Sequence, residues 1–189
     1  MIADPLERVY HRGVTADPTK LSIVHYPDPV LRETTVTVDP EDATVRAVAE
    51  RMLALMHDAE GVGLAAPQVG LAWRLFVTNA GTADPVDRVY FNPELTLDAD
   101  APKESAEEGC LSLPGIHVQR SRPIRATIRA TGLDGEPFEF SDDGFLARVW
   151  QHEFDHLEGV LIIDKMTPME RMNTRRTLKG LRLAFAENA

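Results

Sequence analysis

The stretch from Gln151 to Gly159, QHEFDHLEG, sets two histidines four residues apart with a glutamate directly after the first. On a helix, at about 100° per residue, His152 and His156 point the same way, about 40° apart. Glu153 projects about 60° to one side of His156, close enough to act on anything the histidines hold. Phe145, Val149, His152 and His156 share an arc of about 60°, with Leu146, Trp150, Phe154 and Leu157 adjoining. Arg148, Gln151, Asp155 and Glu158 form the polar side. Two histidines and a glutamate therefore sit on or beside the apolar face of a core helix, where an unpaired polar group is costly. Two imidazoles on a metal ion, with a carboxylate beside its water, meet that need. Ordinary hydrogen bonds would meet it too, so the spacing alone leaves both readings open. Ser141 is expected to cap the helix, with Asp142 and Asp143 in its first turn, and Gly159 to end it.

The remainder must build walls around that helix. Asp39, Pro40, Glu41 and Asp42 read as the capped start of another helix, with Val45, Val48, Ala49, Met52, Leu55 and Met56 on its buried face and Gly61 at its end. The segment LSIVHYPDPVLRETTVTV reads as short extended pieces broken by Pro27 and Pro29. Alternation predicts strands in LAWRLFVT, in VYFNPELTL with an edge or bulge at Pro93, and in IRATIRAT, which Asp134-Gly135 joins to EPFEF as a hairpin. GVLIID leads to a last helix near Pro168. Strands and helices that do not alternate as βα units define the α+β class: antiparallel sheets around a central metal-binding helix, with an N-terminal and a C-terminal helix. The organisation expected is a polar N-terminal extension over 1–20 and a single catalytic domain over 21–189, in which 165–189 is a C-terminal helical segment.

The 189 residues suffice for one core without disulfides, and the single cysteine, Cys110, fits a reducing compartment. No apolar run approaches a membrane span, and the N-terminal stretch lacks the apolar centre of a secretory signal, so the expected location is cytoplasmic with no membrane partner. A net charge of −10 argues against a general or sequence-specific nucleic-acid binder but not against a local basic patch.

Two further stretches bear on the histidines. Taken singly, GVGLAAPQ would be a turn, Cys110 a small buried hydrophobe, and Glu107 and Glu108 a solvated face. Together and in order, Gly61–Gln68, Glu108-Gly109-Cys110-Leu111-Ser112 and Gln151–His156 resemble the three motifs of the peptide deformylase family: G-x-G-x-A-A-x-Q, E-G-C-L-S and Q-H-E-x-D-H. Every fixed position matches, and Leu111 corresponds to the bacterial form. Two protease patterns fit less well. A metzincin would need a third histidine where Ile162 stands, and a thermolysin-like enzyme a glutamate near Arg175 to Thr177.

The resemblance implies a divalent metal on Cys110, His152 and His156, with Fe²⁺ expected in the cell and Zn²⁺, Ni²⁺ or Co²⁺ in purified protein. It implies Glu153 as general base and acid, and the Gln68 amide and Leu111 N–H as donors to the oxyanion. The implied substrate is the N-formyl-methionyl end of a nascent peptide, paired with backbone around Val62, Gly63 and Gly109. The methionine side chain is expected near Val62, Phe145, Val149 and His152. Asp155 is a candidate for orienting a ligand, or simply a charge on the polar side of its helix. His117 stands where the family often has arginine.

Two other readings stay open: an amidase of the same fold acting on another formylated or acylated compound, and a non-catalytic relative stabilised by its metal. Intact Glu153 and Gln68 argue against the second. The C-terminal segment carries Lys165, Arg171, Arg175, Arg176, Lys179 and Arg182 against Glu170 and Glu187, a net +4 in an acidic chain. Arg171, Arg175, Lys179 and Arg182 share an arc of about 80° beside a stripe of Leu178, Leu181 and Phe185. This pattern suggests docking to ribosomal RNA near the nascent-chain exit, or a merely solvated helix.

Overall fold

The computed structural model describes residues 16–80 and 86–188; the first fifteen residues of the expected N-terminal extension lie outside them. A five-stranded antiparallel sheet has the order β1-β2-β3-β6-β7, built from β1 (Gly63–Ala65), β2 (Leu75–Thr78), β3 (Arg88–Leu97), β6 (Ala126–Thr131) and β7 (Pro137–Asp142). A separate hairpin pairs β4 (Lys103–Gly109) with β5 (His117–Pro123). Three α-helices lie among the described residues: α1 (Ala43–Asp58), α2 (Phe145–Leu157) and α3 (Pro168–Asn188). The α+β expectation holds.

The large sheet is covered on both faces. Val45, Val48, Ala49, Met52 and Met56 of α1 pack with Leu64, Leu75, Val77 and Phe91. On the other face Ala147, Trp150 and Leu157 of α2 pack with Ala65, Phe76, Tyr90, Ala126 and Ile128. The alternation read in LAWRLFVT therefore separates two buried faces rather than a buried from a wet one, and all four residues of β2 are inaccessible. IRATIRAT is the half-buried case, with Ala126, Ile128 and Ala130 inward. Trp150 donates its indole N–H to the Tyr90 hydroxyl at 2.9 Å, which satisfies both polar atoms inside the apolar layer. A third cluster, including Leu31, Leu113, Ile116, Val118 and Leu161, takes Leu178 and Leu181 of α3 and so seats the hairpin on the C-terminal part.

Several boundaries differ from expectation for local reasons. α1 starts after Asp42, whose carboxylate accepts from Thr44 and Val45 N–H; Asp39 instead holds a preceding turn by accepting from Glu41 N–H. After α1 the left-handed residue is Glu60, φ 53°, not Gly61. The N-cap of α2 is Gly144; Asp142, at the end of β7, accepts from Gly144 and Ala147 N–H, while Ser141 stays in β7 and bonds Thr127. Gly159 does end α2, at φ 68°, and a Cβ there would meet the Arg32 carbonyl oxygen at 2.6 Å. Pro93 lies in a register shift between Phe91 and Glu94, as its missing N–H requires. The segment before α1 forms a 3₁₀ turn (Pro29–Arg32) and one bridge from Val36 to Trp73 rather than strands.

Candidate metal centre and substrate cleft

The site lies where α2 meets two backbone segments. Gly63–Ala65 forms β1, and the 3₁₀ turn Ala66–Val69 that follows carries Gln68. Gly109 ends β4 and Cys110 opens the turn to β5, closed by Leu113 N–H on the Cys110 carbonyl at 2.9 Å. The α2 face presents His152, Glu153 and His156.

Ligand atoms of Cys110, His152 and His156 all lie within 4.8 Å of one another, and Cys110 Sγ is 3.3 Å from His156 Nε2. A tetrahedral ion with bonds of about 2.3 Å to sulfur and about 2.0 Å to nitrogen sets those donors about 3.5 Å apart. Cys110 and His156 stand near that spacing, and with His152 within 4.8 Å the donor set could hold a divalent metal. The Gln68 amide N–H₂ points at Cys110 Sγ from 3.5 Å, and its oxygen accepts from Ala65 N–H, which fixes the direction of the amide.

Charge favours a cation here. Burial alone would depress the His152 pKa, but the Cys110 sulfur and the Glu108 and Glu153 carboxylates push it up to about 10. A metal ion satisfies the same potential that would otherwise hold a proton. His156 is pushed the other way, chiefly by burial and then by His152, so its ring is neutral and available as a donor. Burial raises the Glu153 carboxyl to about 7, near the value a base and acid needs at neutral pH. Glu153 lines the cleft, and its Oε2 is buried without a hydrogen-bond partner among the described residues.

The cleft encloses about 380 Å³. Val62 and Phe145 are exposed at its mouth, and Val149, Gly63, Gly109 and Leu111 also line it. Thus ten of the eleven residues singled out in the sequence line the cleft, and His156, buried, touches it through Cys110, 3.3 Å away. The ring of His117 stands over Gly109, where a Cβ would be 3.4 Å away, and its Nδ1 is 3.6 Å from Glu107.

Glu108 corrects the expectation of a solvated face. It is buried, accepts from Arg122 at 2.6 and 2.8 Å and from Arg148 at 2.8 Å, and lies 3.2 Å from His152 Nδ1. Burial would raise its carboxyl, but the His152 and Arg122 contacts outweigh this and hold it well below the usual carboxylate range. Glu108 thus fixes His152 with Nε2 free for a ligand bond, the place reserved for Asp155. Asp155 stands one step further out, accepting from Arg122 at 2.9 Å and Arg120 at 3.4 Å. Sequence reasoning missed Arg120, Arg122 and Arg148. The alternating pattern of β5, HVQRSRP, with Val118, Arg120 and Arg122 on one face, was the signal that could have found the first two.

A helix carrying Q-H-E-x-D-H against an antiparallel sheet, with a cysteine delivered from a hairpin turn, defines a metal-dependent hydrolase. The family model for polypeptide deformylase matches residues 20–172. The peptide deformylase of Thermotoga neapolitana is 46% identical over 154 residues, covering 82% of this chain and 92% of that protein. Among solved structures, a plant peptide deformylase matches with a TM-score of 0.84 at 37% identity, covering 94% of this chain and 96% of that one. That of Thermotoga maritima gives 0.72 at 44% identity, over 78% of this chain and 98% of its own. The chain belongs to the polypeptide deformylase family, and its activity is removal of the formyl group from the N-terminal formyl-methionine of newly synthesised polypeptides.

Proposed function

We propose that Cys110, His152 and His156 hold one divalent ion, Fe²⁺ in the cell, and that Glu153, Gln68 and Leu111 carry out the deformylation around it. The observation that carries this reading is the convergence of the three ligand atoms within 4.8 Å beside a Glu153 oxygen that has no hydrogen-bond partner among the described residues. When bound, the ion supplies Lewis acidity, lowering the pKa of a water and polarising the formyl carbonyl.

The chain's own groups do the rest. The formyl-peptide backbone pairs with Val62, Gly63 and Gly109 as an added strand, and the methionine side chain lies among Val62, Phe145, Val149 and His152. Glu153 accepts the proton of the attacking water, then delivers it to the departing amine nitrogen. The Gln68 amide, held by Ala65, and the Leu111 N–H donate to the formyl oxygen as it gains charge, each contributing a few kcal/mol. Formate and a free amino terminus leave. Acetyl adds one methyl group in the tightest part of the cleft, so acetyl-methionyl peptides should react far more slowly. Formate release from formyl-Met and acetyl-Met peptides, with metal content measured in parallel, tests the reading. Equal rates on both would favour the broader amidase, and no release from metal-loaded protein a non-catalytic relative.

We further propose that α3 docks on the ribosome. Leu178, Leu181 and Phe185 are half-buried, while Arg175, Arg176 and Lys179 are exposed. Arg171 and Arg182 of the basic arc are tied to the body, donating to the Met166 and Asp164 carbonyls and to the Tyr26 hydroxyl. The docking face is therefore narrower than the sequence suggests, and centres on Arg175, Arg176 and Lys179. No helix among the described residues is long and apolar enough to cross a membrane.

A further inference from the structure

We propose that Arg148 is a positioning residue that governs metal retention by bracing Glu108 and locking the β4–β5 hairpin to α2. The inference rests on the reading of Cys110, His152 and His156 as the metal ligands, and adds a residue that the three motifs do not contain.

The ligands come from two elements: Cys110 from the hairpin, the histidines from α2. Their mutual distances are therefore set by how the hairpin sits on the helix. Arg148 spans that junction. From α2 its Nη2 donates to the Glu104 carbonyl of β4 at 2.7 Å, and its Nη1 to the Arg120 carbonyl of β5 at 3.0 Å. Nη1 also donates to Glu108 Oε1 at 2.8 Å. One guanidinium thus holds both strands of the hairpin and the carboxylate that holds His152, using the fork geometry a lysine lacks.

Glu108 is saturated only with Arg148 present. Oε1 takes Arg122 and Arg148; Oε2 takes Arg122 and His152. Each oxygen has two partners, as two lone pairs allow. Arg148 and His152 lie four residues apart on one helical face and grip the same carboxylate from opposite oxygens. His156 has no such support: its Nδ1 is buried without a partner among the described residues. Among the described residues, the polar brace on a histidine ligand from outside the ligand set therefore runs through Glu108. With side chains of 13% and 6% exposure, Arg148 and Glu108 are shielded from water that could replace the lost bond.

The test uses Co²⁺-loaded protein, reading the rate of Co²⁺ release to a chelator and the visible Co²⁺ spectrum. Arg148→Met should release Co²⁺ about ten- to a hundredfold faster with an altered spectrum, and Arg148→Lys should fall between it and wild type. Adding Arg148→Met to a Glu108→Gln background should accelerate release by much less than in the wild-type background. Fully multiplicative losses would overturn the route through Glu108. Wild-type release and spectrum in Arg148→Met would overturn the proposal altogether; should that variant fail to fold, Arg148→Gln is held to the same criterion. Cys110→Ala separates the underlying reading: an unchanged Co²⁺ spectrum there rejects the metal ligands themselves, whatever Arg148 does.

Discussion

The Glu153 carboxylate packs directly on the α-carbon of Gly63: a Cβ built there would stand 2.8 Å from Glu153 Cδ and 2.9 Å from Cγ. The first motif therefore needs glycine at this position for the base as much as for the substrate strand. Gly63→Ala should displace Glu153 while leaving Cys110, His152 and His156 in place. A misplacement of about 1 Å costs on the order of a hundredfold, so kcat should drop by that order with metal content unchanged. Wild-type kcat in metal-replete Gly63→Ala would contradict the contact.

Glu153→Gln should keep the fold and the metal but lose about 10²- to 10⁴-fold in formate release, because the amide cannot take the water's proton. Metal analysis alongside single-turnover kinetics checks it. A near-normal kcat would remove Glu153 from the chemistry.

The metal should decide tolerance to air. Fe²⁺ beside the Cys110 thiolate invites peroxide chemistry at both, whereas Ni²⁺ resists oxidation. The iron form should lose activity rapidly in air and the nickel form slowly. Equal half-lives at verified metal content would withdraw this argument for iron.

Acid should weaken the join between the segment after α2 and the N-terminal part. Burial alone would raise the Asp164 carboxyl, but Arg32, bonded at 2.5 and 2.8 Å, and the Leu161 N–H hold it below its ordinary value. A folded-state pKa depressed in this way contributes stability that is complete above the unfolded value of about 3.9 and is lost as pH falls through the folded one. The pair is more than a third exposed on the Arg32 side, so its contribution is about 1 kcal/mol or less. Urea unfolding should show wild type more stable than Asp164→Asn near pH 6, with the gap closing towards pH 3. A gap that widens on acidification would reverse the sign.

Reversal of Arg175, Arg176 and Lys179 to glutamate should weaken salt-sensitive cosedimentation with ribosomes. Turnover of a short formyl-Met peptide should change little, since these side chains lie away from the cleft lining. Undiminished cosedimentation at low salt would leave α3 as a packing element only.

How much of this was legible beforehand depended on whether a residue's role was local. Helical spacing on α2 placed His152, Glu153 and His156 correctly because i, i+1 and i+4 positions are fixed by the backbone itself. The strand patterns found β2, β3 and β6, and the Asp134-Gly135 turn signal found β7. The β4–β5 hairpin escaped because KESAEEG carries almost no apolar signal; it is held by its own pairing and by buried ion pairs. Those pairs were equally illegible. Nothing local distinguishes Glu108 from its exposed neighbour Glu107, since only the distant Arg122 and Arg148 make burial of the carboxylate tolerable.

One carboxylate at the start of α3 has a consequence for the hairpin's topology. Glu170 Oε2 accepts from Thr167 N–H and Oγ1, and its Oε1 accepts the outward N–H of Gln119 in β5 at 2.8 Å. A two-stranded ribbon has two free margins, either of which can template a third strand. Here Glu170 holds one outward donor of the β5 margin, so a polypeptide adding along β5 would first have to displace that carboxylate from Gln119 N–H. The seat of α3 and the readiness of the ribbon's β5 side to accept a strand are thus tied to the same carboxylate.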